Sequence, residues 1–148
     1  MKKIIALFIL VLVTVTCTFA QKVGPYKITG IRIMPFDGNT GKFDDELASD
    51  ARGGYFNDLD KSILAIIELT GPAGEFASKR AVSIRVTEGK KVKLTKTAYP
   101  GVMSESGKFY IPIFLYPAMC DQVTITASVT GQTQKSSMKR QLDFMCGE

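Results

Sequence analysis

Val123-Thr124-Ile125-Thr126-Ala127-Ser128-Val129-Thr130 alternates apolar and hydroxyl side chains without a break. Neighbouring side chains of a β-strand point to opposite faces, so this period of two sends Val123, Ile125, Ala127 and Val129 inward and leaves the hydroxyls wet. Moving outward from this stretch, the same switching recurs between turn clusters. Val82, Ile84 and Val86 alternate with Ser83, Arg85 and Thr87, and Val92 and Leu94 resume the pattern after Glu88-Gly89-Lys90, which predicts a hairpin. Aligning its apolar faces sets Val86 opposite Val92, Ile84 opposite Leu94, and Arg85 opposite Lys93.

Ile63 to Thr70 is apolar on both faces apart from Glu68 and ends at Gly71-Pro72-Ala73-Gly74. It reads as a central strand covered on both sides or as a short buried helix, and its β-branched content favours the strand. Phe109 to Tyr116 is two-sided as well. Pro112 lacks a ladder donor and therefore belongs at an edge or a bulge. Tyr110, Phe114 and Tyr116 share one side of this strand. Covered on both sides they are core, which is the expected reading; uncovered they are a contact surface, and the burial of Tyr110 and Phe114 decides between the two. Lys27 to Met34 makes a first strand with a bulge at Gly30, where the parity of Ile28 and Ile31 breaks, and Lys135 to Phe144 makes the last. Phe36 to Lys61 has no sustained periodicity and reads as a long loop with a short helix over Asp44 to Ala51; loops of this length in compact domains tend to carry function.

The chain of 148 residues opens with Lys2-Lys3, an apolar run from Ile4 to Val15, and Thr18-Phe19-Ala20 before Gln21. That is the layout of a cleavable signal peptide over residues 1–20, with residues 21–148 as one domain. The apolar run is too short for a membrane-spanning helix, so the mature protein is not expected to be integral to a membrane. Net charge is +5, and +3 once Lys2 and Lys3 are removed, which calls for no nucleic acid. The expected destination is the periplasm or the exterior. Cys17 leaves with the leader, and Cys120 and Cys146 remain as an even pair in an oxidising compartment, so a disulfide is expected. Closing that loop of about 27 residues stabilises the fold by roughly 3 to 4 kcal/mol in the chain-entropy picture.

These features describe an all-β fold, a single antiparallel β-sandwich of about seven strands preceded by a signal-peptide helix. Over Lys27 to Phe144 the pattern of short strands, Gly-rich turns and a disulfide resembles the immunoglobulin-like and fibronectin-like sandwiches of bacterial exported proteins. It departs from antibody domains in having no Trp and in placing both cysteines near the C-terminus. In the last hairpin, matching apolar faces sets Ile125 against Leu142, Val123 against Phe144 and Val129 against Met138, with the turn centred on Thr133-Gln134. Cys146 then falls opposite Asp121, so a bulge or bend between Pro117 and Gln122 is needed to bring Cys120 to it.

No histidine occurs anywhere, which removes Ser-His-Asp and Cys-His triads and histidine-ligated metals. Carboxylate chemistry through Asp37, Asp44, Asp45, Glu46, Asp50, Asp58 and Asp60 is the formal alternative, a small carboxylate- or calcium-dependent hydrolase. Asp37-Gly38-Asn39-Thr40-Gly41 places oxygen donors at alternate positions, and with Asp44 and Asp45 it is the candidate calcium loop. The acidic residue that an EF-hand needs at its twelfth position is replaced by Ala48. From Lys79 to Lys96 the chain is basic, and Arg85, Lys90, Lys91 and Lys93 are candidate contacts for an anionic partner such as an acidic glycan or an acidic protein surface. A solubilising rim is the plainer reading of the same charges. The function expected from the sequence is an exported, non-catalytic binding or structural module of the bacterial envelope, without a cofactor.

Overall fold

The computed structural model describes residues 24–52, 55–56, 61–101, 103–116 and 120–145. The signal segment and Cys146 lie outside them, as do residues 117–119 of the expected bend. The strands are β1 (Lys27–Asp37), β2 (Lys42–Phe43), β3 (Tyr55–Phe56), β4 (Lys61–Thr70), β5 (Ala81–Glu88), β6 (Lys91–Ala98), β7 (Lys108–Leu115), β8 (Val123–Thr130), β9 (Ser137–Leu142) and β10 (Phe144–Met145). They form two antiparallel four-stranded sheets, β2-β1-β4-β7 and β6-β5-β8-β9, and β10 pairs with β3 in parallel as a small third element. The fold is all-β, as the alternation demands.

The core fills the space between the two sheets. Ile31 and Ile33 of β1, alternate residues Ile63 to Leu69 of β4, and Ile111, Ile113 and Leu115 of β7 face Val82, Ile84 and Val86 of β5 and Val123, Ile125 and Ala127 of β8. The register of β1 slips between Ile28 and Gly30, the position where the sequence parity breaks. A Cβ at Gly30 would stand 2.8 Å from Glu68 Oε2, so the bulge glycine makes room for that carboxylate. Pro112 sits on the free edge of β7. Residues of an antiparallel strand point their N–H and C=O to the same side, and the Pro112 carbonyl accepts from Lys96 Nζ of β6 at 3.4 Å. Its nitrogen therefore also faces away from β4, and the proline costs no ladder bond.

Both hairpins depart from the expected registers. In the first, Val86 pairs with Leu94, Ile84 with Lys96 and Arg85 with Thr95. The expected alignment would have left Gly89 alone in the turn, which a chain cannot close. The turn instead uses Gly89, at φ 51°, and Lys90; between the Thr87–Val92 and Val86–Leu94 pairs Lys93 of β6 is the extra residue of a bulge, which restores the apolar faces. The expected clash of Arg85 with Lys93 does not arise.

In the last hairpin Val123 pairs with Leu142, Ile125 with Arg140 and Ala127 with Met138, two residues from expectation. A slip of two preserves the faces. Its cause is the turn, where Gly131 takes φ 75° and where Gln132 and Ser136 are engaged by the start of β1. Tyr26 N–H donates to Gln132 Oε1, Gln132 Nε2 donates back to Tyr26 O, both at 2.9 Å, and Ile28 N–H donates to Ser136 Oγ. Arg140, on the inward side of β9 together with Met138 and Leu142, is only 7% exposed.

Residues 44–52 are not helical. Asp44 N–H donates to Pro35 O and Leu47 N–H to Ile33 O, so these donors pair with β1 rather than with a helix of their own. The segment continues as a strap to the far sheet, where Arg140 donates to Ala48 O and Asp143 N–H to Arg52 O. It closes the side of the sandwich between β1 and β9.

Candidate functional site

The two outer faces of the sandwich differ in kind. On the β6-β5-β8-β9 sheet the outward positions form polar rungs, Thr95-Arg85-Thr126-Lys139 and Thr97-Ser83-Ser128-Ser137. On the β2-β1-β4-β7 sheet the rungs are Phe43-Phe36-Ser62, then Met34-Leu64-Phe114, then Arg32-Ile66-Pro112, then Gly30-Glu68-Tyr110, with Tyr116 following Phe114 beyond the end of β7. This face is apolar at the end of β1 that carries Phe36 and polar at the other.

Tyr110 is 48% exposed, Phe114 38% and Tyr116 76%, so the side of β7 expected in the core is instead a surface, because β7 lies in an outer layer with nothing over it. Phe43, 49% exposed, joins it from β2. The rings cross one another edge to face: Phe36 with Phe43 at 5.1 Å and 61°, Phe36 with Phe114 at 6.0 Å and 66°, Phe114 with Tyr116 at 5.2 Å and 79°. Each such pair is worth about 0.5 to 1.5 kcal/mol beyond the area it covers, enough to hold the cluster as one body. A flat sugar-stacking platform needs several rings lying in the plane of the sheet, and these angles do not provide it.

At the polar end, Arg32 Nε donates to Glu46 Oε1 and Oε2 at 3.0 and 2.9 Å and its Nη1 lies 3.8 Å from Glu68 Oε1. The Arg32 guanidinium holds the Glu46 carboxyl below the usual range, through hydrogen bonds first and charge second. A shallow depression of about 260 Å³ lined by Thr29, Glu68, Thr70, Lys108 and Tyr110 closes this end of the face.

The candidate calcium residues separate into different roles. Asp37 Oδ1 accepts the N–H groups of Asn39 and Thr40 at 2.8 and 3.0 Å, an Asx turn that closes the β1–β2 hairpin. Asp37 Oδ2 and Asp44 Oδ2 both accept from Lys61 Nζ, at 3.0 and 2.8 Å. The lysine ammonium stands where the two carboxylates converge. Asp45 is exposed beside them. Among the described residues no group of three or more potential metal ligands comes together.

Lys61 lowers the Asp37 carboxyl, the hydrogen bond being the largest cause, and the Lys61 ammonium is raised in return, mainly by Asp44 and then Asp37. A carboxyl lowered in the folded state adds stability above its unfolded value near pH 4 and loses it as the pH falls through the folded one. Asp37→Asn is therefore expected to lower the melting temperature at neutral pH and to converge on the parent protein as the pH falls through the lowered value of the folded carboxyl. Thermal melts of both proteins across that range check it.

The basic candidates are split as well. Lys90, Lys91 and Lys93 border an open depression that also contains Glu88 and Asp121, and Lys93 is ion-paired to Glu88. That lysine, followed by the backbone N–H of Cys120, lowers the Glu88 carboxyl. Arg85 lies elsewhere, at the middle of the polar face. Sequence reasoning missed Phe36 and Phe43 as part of the aromatic surface, because they fall where strand periodicity stops. It also missed Lys61, whose partners lie 17 and 24 residues away. No protein-family model matches the chain, and no curated protein matches it.

Proposed function

We propose that this chain is an exported, non-catalytic sandwich module that works by surface contact, with the aromatic face of the β2-β1-β4-β7 sheet as its contact surface. The observation that carries the reading is the outer row of β4 and β7, where Leu64, Ile66, Pro112 and Phe114 line a face that the fold itself leaves open. Contiguous apolar surface of this kind marks interaction sites. The occupation of Asp37 and Asp44 by Lys61 favours this reading over the calcium-dependent hydrolase, since the lysine already supplies the cation.

The allocation of strands supports an immunoglobulin-like topology. Of the long strands, β1, β4 and β7 share one sheet, while β5, β6, β8 and β9 share the other with β6 outside β5. Export is supported by the leader pattern, and with it a bridge between Cys120 and Cys146. Val123 pairs with Leu142 and Gln122 Nε2 donates to Asp143 Oδ1 at 3.0 Å, so the chain just after Cys120 lies beside Leu142 and Asp143, while Cys146 is outside the described residues.

An anionic glycan or acidic protein at the opposite face is the second reading. Arg85 and Lys139 stand on one rung with Thr126 between them and have no ion-pair partner among the described residues.

The test is capture from native envelope extract by the immobilised protein. Phe43→Ser with Phe114→Ser is expected to reduce capture at least about tenfold. Unchanged capture by this pair, with loss on Arg85→Glu and Lys139→Glu, would move the contact to the polar face.

A further inference from the structure

We infer that one end of the sandwich docks on an anionic lipid surface, a contact distinct from the aromatic face that requires only export to the envelope. It is the end where loop 71–80, between β4 and β5, meets loop 99–107, between β6 and β7. Phe76 on the first is 62% exposed and Tyr99 on the second 70%. A Cβ at Gly101 would stand 3.4 Å from Phe76 Cε2, so the phenylalanine ring lies over the loop that carries Tyr99. Neither ring crosses another aromatic among the described residues, unlike those of the aromatic face. Their exposure is not slack in the chain. Gly71 N–H donates to Gly107 O at 2.9 Å, Gly74 N–H to Ser104 O at 3.2 Å and Met103 N–H to Glu75 O at 3.1 Å, so the loops are tied to each other. Pro100 and Met103 are buried and anchor the second loop in the protein. The fold thus holds two apolar rings out in water at one end, a cost that burial elsewhere recovers.

The charge of this end is one-sided. Lys27, Lys79, Lys108 and Lys135 are all exposed, and none has an ion-pair partner among the described residues. Lys27 and Lys108 flank Thr70 on a single rung. Lys79 belongs to the loop of Phe76, and its backbone meets Gly131 in the turn that carries Lys135. Glu105 is the exposed acidic residue of these loops, whereas Glu75 buries Oε2 near Tyr26. The opposite end shows no such excess among the described residues, Lys61 and Lys93 being matched by Asp37, Asp44 and Glu88.

A surface that is anionic at its headgroups and apolar just below them answers both features at once. Lysines at such a surface each strengthen binding about fivefold, and aromatic rings settle at the boundary between headgroups and acyl chains. The kind of cation points the same way. Arginine suits a partner whose carboxylates or phosphates stand in fixed positions, because its planar fork binds them in pairs; lysine is a point charge on a flexible stem. The exposed cations here are lysines. The one arginine of these loops, Arg80, donates to Gly24 O and lies over the Tyr26 ring, 4.6 Å from its centre. Four flexible point charges around two rings fit a fluid anionic layer better than the fixed groups of an acidic protein.

Co-sedimentation with lipid vesicles, using the protein recovered after expression of the full chain, tests this. At about 0.1 M salt it is expected to bind vesicles of phosphatidylcholine with about 30% phosphatidylglycerol at least about tenfold more tightly than vesicles of phosphatidylcholine alone, and to lose most of that preference at about 1 M. Phe76→Ser with Tyr99→Ser is expected to weaken binding to the anionic vesicles at least about tenfold, and Lys79→Glu with Lys135→Glu at least about twentyfold. All four side chains are exposed, so both variants are expected to melt with the parent protein. Phe43→Ser with Phe114→Ser is expected to leave vesicle binding unchanged. Absence of a preference for the anionic vesicles overturns the proposal, and so does binding that either loop variant retains. Loss on the Phe43 and Phe114 pair overturns it too, by carrying the lipid contact to the aromatic face. If vesicles are not bound while capture from envelope extract falls with Lys79→Glu and Lys135→Glu, the occupant of this end is an acidic protein and not a membrane. The aromatic face is judged by extract capture alone, so either contact can fail without the other.

Discussion

Gly131→Ala is expected to destabilise the protein by at least about 3 kcal/mol, from two costs that act together. The residue has φ 75°, a conformation an alanine takes only with strain. A Cβ built there would stand 2.0 Å from Lys79 O and 2.8 Å from Lys79 C. Both are backbone atoms one step before Arg80 and the start of β5, so relief requires moving the entry of a central strand. Gly74 is the control: φ is 67° and nothing lies within 4 Å of its Cβ position. Gly74→Ala carries the conformational cost alone and is expected to lose about 1 kcal/mol. Urea unfolding of the two variants beside the parent separates the costs, and equal losses would show that the approach to Lys79 does not constrain the turn.

Ile67→Ala is expected to remove about 3 to 4 kcal/mol, since the side chain is fully buried between the sheets and its loss leaves a cavity. Its neighbour Ile66 points to the open face. Ile66→Ala is expected to cost less than about 1.5 kcal/mol. A loss at Ile66 as large as that at Ile67 would mean that the outer row is already packed within the fold.

How far the sequence could be read depends on what each residue's signal reports. Period-two switching located the long strands and the core, and the broken parity of Ile28 and Ile31 located the bulge of β1, because both are set by which way successive side chains point. Register was less legible. Aligning apolar faces leaves slips of two undetected, so Leu94 and Leu142 took partners two residues from those expected, and turn sterics at Gly89 and Gly131 made the choice. Arg140 shares the inward side of β9 with Leu142 in either register, so alternation placed it there while its charge argued for the outside. The segment 44–52 looked irregular and free, yet its donors go to Pro35 and Ile33, a non-local pairing that propensity does not register. For β7 the two-sided apolar pattern pointed to cover on both sides, and only the position of β4 and β7 in an outer layer showed that Tyr110, Phe114 and Tyr116 are exposed. The acidic loop presented donors in a metal-like order. It could not reveal that Lys61, distant in sequence, would stand between two of them.

Pro112 and Lys96 limit how copies of this protein can join. An exposed strand edge is an invitation to open-ended growth, each added chain offering the next the same unpaired groups. On β7 one position has no N–H to offer and its carbonyl is taken by the lysine across the seam. Growth through the β7 edge is therefore discouraged, and that side of the sandwich does not template fibres.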